Sequence, residues 1–206
     1  SGTVTGGGTF TGVGGTITSE SGAGTASAFH FGTSAYSSPA GNGSAHSFSS
    51  TNWAVNDYYE FDVNTTSFTG VTLTFDQNGS GTGPRDFQVE TSNDNGASWV
   101  NLASGAYSLP NVTGVNSAGA TTTGAISWSS GTAITNTTFT FDLSAISGLT
   151  GVRLVDTDTT SIVGGSVGGT GTDRVDNVVI SGTPEPATAG LVLAGAAFIV
   201  GRRRRR

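Results

Sequence analysis

Between residues 71 and 75 the chain reads Val-Thr-Leu-Thr-Phe, with every second side chain apolar and threonines between. A period of two leaves a helix no coherent face, whereas a strand sorts these residues into one buried and one solvated side. The pattern recurs. In residues 138–143, Phe139, Phe141 and Leu143 alternate with Thr138, Thr140 and Asp142. Runs at 58–63, 87–90, 98–102, 125–128, 152–155 and 175–180 set β-branched and aromatic residues between Gly, Ser, Asn and Pro punctuation. No helix-period segment competes before residue 187. Strands at this spacing predict an all-β antiparallel β-sandwich, followed by a C-terminal hydrophobic helix. The intervals 109–124 and 157–172 lack alternation and read as loops, either binding segments or surface insertions.

Composition narrows the function classes. The 206 residues include 33 Gly and 59 Ser and Thr, enough chain for one ordinary domain but poor in helix formers. Eight Lys and Arg against fourteen Asp and Glu give a net charge of −6, and five of those eight are Arg202, Arg203, Arg204, Arg205 and Arg206. The rest of the chain has three arginines, no lysine and a net charge of −11. Such a surface repels phosphate, so no nucleic-acid partner is expected. The absence of cysteine excludes a disulfide framework, a thiolate metal site and a thiol nucleophile.

Three regions follow. Residues 1–27, Gly/Thr-rich with nine glycines, are either a flexible entry or a few edge strands. Residues 28–182 form the β-sandwich body. Residues 183–206 carry Thr183-Pro184-Glu185-Pro186, then an apolar stretch from 187 to 201 that contains Leu191, Val192, Leu193, Phe198, Ile199 and Val200, then the five arginines. As a helix the fifteen apolar residues extend about 22 Å, short of a hydrocarbon core of about 30 Å, a mismatch that bilayer thinning and Arg snorkelling relieve. The basic end stays cytoplasmic and the body lies outside. The two prolines around Glu185 disfavour both helix and ladder pairing, which predicts an extended, accessible segment outside the membrane. A secretory leader was either removed before Ser1 or is not part of this sequence.

This tail resembles the PEP-CTERM sorting signal of Gram-negative bacteria, with Pro184, Glu185 and Pro186 at the motif and Arg202–Arg206 at the basic end. The resemblance implies recognition by an exosortase and a passing stay in the inner membrane. It further implies delivery to the cell surface or extracellular matrix, commonly in association with exopolysaccharide and biofilm. A permanent single-span anchor is the plainer alternative. The resemblance covers only the tail and implies nothing about the chemistry of the body. Within the body, Gly83-Pro84-Arg85-Asp86-Phe87 and Asp173-Arg174-Val175-Asp176-Asn177-Val178 look like parts of the jelly-roll bodies that often precede such tails and that share topology with carbohydrate-binding modules.

Residues 92–99 resemble the Asp-box, with Ser92, Asp94, Gly96, Ser98 and Trp99 at its fixed positions. The resemblance implies a structural hairpin turn rather than sialidase chemistry, since a single copy and three body arginines do not make that site. Asp173, Asp176 and Asn177 offer oxygens for Ca²⁺, against a turn-capping alternative; no other cofactor is expected. Asp156 and Asp158 would share a face if both sat on a strand. The two histidines, His30 and His46, lie in no catalytic motif, so a hydrolase triad is unsupported. Trp53 and Tyr107, beside polar loops, are the candidates for stacking on a sugar ring.

The function expected from these features is a non-catalytic, exported surface protein that joins or binds extracellular polysaccharide. Two alternatives stay open. One is a glycoside hydrolase or lyase that uses Asp156, Asp158, Asp173 or Asp176. The other is ice binding by Thr-x-Thr pairs at 72–74, 138–140, 157–159 and 170–172, which repeat with no fixed period.

Overall fold

The alternation at residues 71–75 lies within one of the two long strands of a computed structural model, which describes residues 2–4, 6–11, 17–111, 113–115, 121–123 and 128–185. In chain order the strands begin with β1 (Gly2–Val4), β2 (Gly8–Phe10), β3 (Ile17–Thr18), β4 (Thr25–His30), β5 (Ser34–Ser37), β6 (Phe48–Thr51), β7 (Tyr58–Asp62) and β8 (Phe68–Gly79). They continue with β9 (Asp86–Ser92), β10 (Val100–Ser108), β11 (Thr113–Val115), β12 (Thr121–Thr123), β13 (Thr138–Asp142), β14 (Gly151–Asp156) and β15 (Thr172–Pro184). The described residues contain no helix, and the expected C-terminal helix lies outside them.

Two antiparallel sheets face each other. The first has the order β1-β5-β6-β15-β8-β13, and the second β10-β9-β14-β7-β4-β2, with β3 also paired to β4. Alternation fixes what each contributes to the interior. From the first come Val71, Leu73, Phe75 and Val175; from the second come Ala28, Tyr59, Phe61, Phe87, Val89, Val152 and Leu154, all buried in one cluster. Contacts cross the gap, with Phe48 against Tyr59 at 5.2 Å and Phe75 against Tyr107 at 5.6 Å between ring centroids. Burying this set, at about 25 cal/mol per Å² of apolar surface, is what holds the two sheets together. The chain is therefore all-β, with two packed antiparallel sheets.

Several expectations need correction. The interval 109–124 is not loop throughout, because β11 and β12 pair as a small hairpin in which Thr113 opposes Thr123 and Val115 opposes Thr121. The strand expected at 125–128 falls outside the described residues except for Trp128, which is buried outside any strand and donates from Nε1 to Thr137 Oγ1 at 3.3 Å. Pro184 is also not barred from the ladder. It pairs with Phe68 of β8, and the next residue, Glu185, donates its N–H to Ser67 O at 2.9 Å. The proline tolerates this because the bonded position falls on Glu185, so the nitrogen without a hydrogen faces the side of β15 that no described strand occupies.

Candidate functional site

The alternation that buries Val152 and Leu154 leaves Arg153, between them on β14, facing outward. Register sets Glu60 of β7 on one side of it and Glu90 of β9 on the other. Arg153 Nε donates to Glu60 Oε2 at 2.7 Å, and the guanidinium carbon lies 3.9 Å from the ring centroids of both Tyr58 and Trp99. A flat cation is thus held between two rings while its edge meets a carboxylate, which suits arginine and not lysine. Tyr58 stacks on Phe29 at 5.3 Å, and Phe29 meets Phe31 edge-on at 4.9 Å. The line Trp99–Arg153–Tyr58–Phe29–Phe31 runs across β14, β7 and β4. Its inner rings, Tyr58 and Phe29, are half-buried, and its ends are a partly exposed Trp99 and a 60% exposed Phe31.

Charge on this face is divided. Burial raises the Glu90 carboxyl above its ordinary value against the pull of Arg153. Burial also raises the Tyr58 hydroxyl, with Arg153 opposing and Glu60 and Glu90 adding to the rise. Two carboxylates, a guanidinium and a phenol on one rigid face are hydrogen-bonding groups matched to a polyhydroxylated ligand.

The β9–β10 turn positions Trp99. Asp94 accepts from Ser92 Oγ at 2.8 Å and from the Ser98 N–H at 2.9 Å on Oδ1, and from Ser98 Oγ on Oδ2 at 2.5 Å. These bonds hold the Asp94 carboxyl down at about 2, those from Ser98 contributing most. Gly96, at φ 79°, takes the left-handed conformation and offers its carbonyl to Trp99 Nε1 at 3.2 Å. The indole then lies over Gly151, where a Cβ would come within 2.7 Å of the ring.

Other residues singled out from sequence fall elsewhere. Trp53 and Tyr107 are no platform. Trp53 is 5% exposed and donates from Nε1 to Ser50 O at 3.2 Å, and Tyr107 packs on Phe75, Phe87 and Phe139 with its hydroxyl on Gln77 Oε1 at 2.6 Å. Loop neighbours in sequence misled here, because both rings turn inward. The set Asp173, Asp176 and Asn177 does not converge. Asp173 is buried between the sheets and Asp176 lies on the alternate side of β15. There Asp176 Oδ2 accepts from the Asn42 N–H at 2.6 Å and from Ser44 Oγ at 2.7 Å, while Asn177 Nδ2 donates to Asp76 Oδ2 at 2.8 Å and to Asn42 O at 2.9 Å. Among the described residues no three His, Asp or Glu side chains are grouped to hold a metal ion. Asp156 and Asp158 also part, the first fully buried and the second an exposed cap on the Thr160 N–H at 2.9 Å. In the tail, Thr183, Pro184 and Glu185 are exposed, and Pro186 and everything after it lie outside the described residues. No helix among the described residues is long and apolar enough to cross a membrane.

Sequence reasoning missed the interior polar chain. His30 Nδ1 lies 2.8 Å from Asp57 Oδ2, outside hydrogen-bond alignment, and His30 Nε2 lies 3.1 Å from Ser50 Oγ. Ser50 Oγ meets Tyr59 OH at 3.2 Å, which reaches Asp173 O at 3.0 Å. Asp57, His30 and Ser50 follow the order of a hydrolase relay. All three are fully buried, however, so no substrate reaches the hydroxyl. The groups serve the fold instead: Asp57 also accepts from the Phe31 N–H at 2.8 Å and the Ala54 N–H at 2.7 Å.

No protein-family model and no curated protein matches the chain. Among solved structures, it is similar to the xyloglucanase domain of NopAA, a type three effector from Sinorhizobium fredii in complex with cellobiose. That likeness is 13% identity over 77% of this chain and 94% of the other, with a TM-score of 0.37. At this level it carries nothing about what the chain binds.

Proposed function

We propose that the chain is a non-catalytic, exported surface protein that binds extracellular polysaccharide on the outer face of its second sheet. The reading rests on the row Glu60–Arg153–Glu90 flanked by Tyr58 and Trp99, which combines fixed hydrogen-bonding groups with aromatic ends on a rigid sheet. The body is jelly-roll-like. The tail directs sorting by an exosortase through Pro184, Glu185 and Pro186, passing through the inner membrane to the surface of a Gram-negative bacterium. Exposure of Thr183–Glu185 supports access by such an enzyme.

The test is retention of the full chain on immobilised bacterial exopolysaccharide. The Glu90→Gln and Trp99→Ala proteins should be retained less, and Thr140→Ala, on the other sheet, should be retained as the parent is. Equal retention of all four, or none above an unrelated sandwich, refutes binding at this face.

Polysaccharide cleavage is the second reading, moved from the buried Asp156 and Asp173 to Glu60 and Glu90. Their strands stand two spacings apart, about 10 Å, near the separation an inverting pair requires. Arg153 fills the space between them, which favours binding. Turnover of a polysaccharide panel that is lost in Glu90→Gln would reverse that preference. For ice binding, Thr74 and Thr140 are neighbours on the first sheet, yet their hydroxyls meet each other at 3.3 Å.

A further inference from the structure

Beyond Val175, β15 is paired along one edge only among the described residues. The register with β6 ends at the Val175–Phe48 pair, and among the described residues the remainder of β15 pairs with β8 alone. Beside this free edge opens a cleft of about 1230 Å³, whose lining includes Phe10, Phe48, Phe61, Val63, Val178 and Ile180, with Glu20 and Asp176 also on its walls. Unpaired backbone next to an apolar space is the place of a missing strand.

Three features of the sequence fit one occupant. The apolar stretch 187–201 starts two residues past Glu185, close to the Phe68 end of the cleft. Pro186 lies between and suits a reversal of direction. Residues 176–184 span about 30 Å as a strand, and fifteen extended residues are more than enough to run back along them. The five arginines that follow carry the sign opposite to Glu20, Asp176 and the acidic body. We propose that the cleft holds the chain's own residues 187–201 against the free edge of β15 while the protein is in water, and yields them to a membrane. Docking in water is independent of the polysaccharide reading, and only the release step rests on the sorting reading.

The chain has no cysteine, so a pair introduced into the full-length protein reports proximity without background. Val178→Cys with Leu193→Cys, treated with a short bis-maleimide in detergent-free buffer, should link within one molecule about tenfold faster than Val100→Cys with Leu193→Cys. Val100 is 66% exposed on β10, away from the cleft. Phosphatidylglycerol vesicles should suppress the link. Ala45→Cys, at an exposed position lining the cleft, replaces Val178→Cys if that variant does not fold. Equal rates for cleft and control pairs overturn the proposal, as do links formed only between two molecules, which would make the occupant a second copy. Failure here leaves polysaccharide retention untouched, and loss of retention leaves the link unchanged.

Discussion

Replacing Asp156 by asparagine should make the protein progressively more stable than the parent as pH rises from about 4 to about 7, and leave it nearly unchanged below pH 3.8. Asp156 is fully buried, and its Oδ2 has no hydrogen-bond partner. Burial pushes its carboxyl from 3.8 up to about 7; the Asp158 N–H pulls it down, and Asp57, Asp158 and Asp86 add to the rise. Asp173, buried with its own unpartnered Oδ2, is pushed well above the ordinary range by burial and by Asp156, against Gln77 and Arg174. The folded state therefore holds a proton on Asp156 that the unfolded chain releases at about 3.8. Stability from this group is complete below 3.8 and is lost as pH rises through about 7. At about 1.4 kcal/mol per pH unit the loss is about 4 kcal/mol. Asparagine keeps the oxygen that faces the Asp158 N–H and cannot ionise. Urea unfolding followed by Trp fluorescence at pH 4 to 8 should show the parent losing about 2–4 kcal/mol relative to Asp156→Asn across this range. Parallel stability curves for the two proteins would refute the reasoning.

Three further outcomes follow from the same contacts. Tyr59→Phe removes a buried hydroxyl held between Ser50 and the Asp173 carbonyl, and should cost about 1–3 kcal/mol in urea unfolding with no change in m-value. Arg153→Ala ends two ring contacts and the Glu60 ion pair; it should lower stability by about 1–3 kcal/mol in thermal unfolding and reduce polysaccharide retention. Asp94→Ala should loosen the β9–β10 turn, seen as faster hydrogen exchange at the Ser98 amide. In the parent, protection at that amide should hold above pH 3.8 and fall as pH drops toward 2, because the turn's hydrogen bonds favour the ionised Asp94.

Strands whose one-sided burial is written in alternating residues were legible from sequence, as at 71–75 and 138–142. Their ends were not. Thus β8 continues through Asp76, Gln77 and Asn78, polar residues outside the apolar alternation that yet lie buried with partners far along the chain, such as Asn42 Nδ2 of the β5–β6 connection on Asp76 Oδ2 at 2.9 Å. Partners dozens of residues away decide whether such a side chain can be buried, and no local pattern records them. The same holds for the candidate site. Tyr58, Glu60 and Arg153 each sit at an outward position of a recognisable strand, but only register brings Glu60 opposite Arg153. Outward arginine and glutamate flanked by aromatic residues was the available signal. Trp53 and Tyr107 were misjudged because nearness to polar residues along the chain says little about which way a ring points.

The pairing of β15 through Pro184 bears on how the body meets mechanical load. A pull on the C-terminal end runs along the strand, while the bonds tying β15 to β8 and β6 lie across that direction. They are strained together, in shear, instead of unzipping one after another. A body pulled at this end while its opposite face is held would resist through the centre of its first sheet.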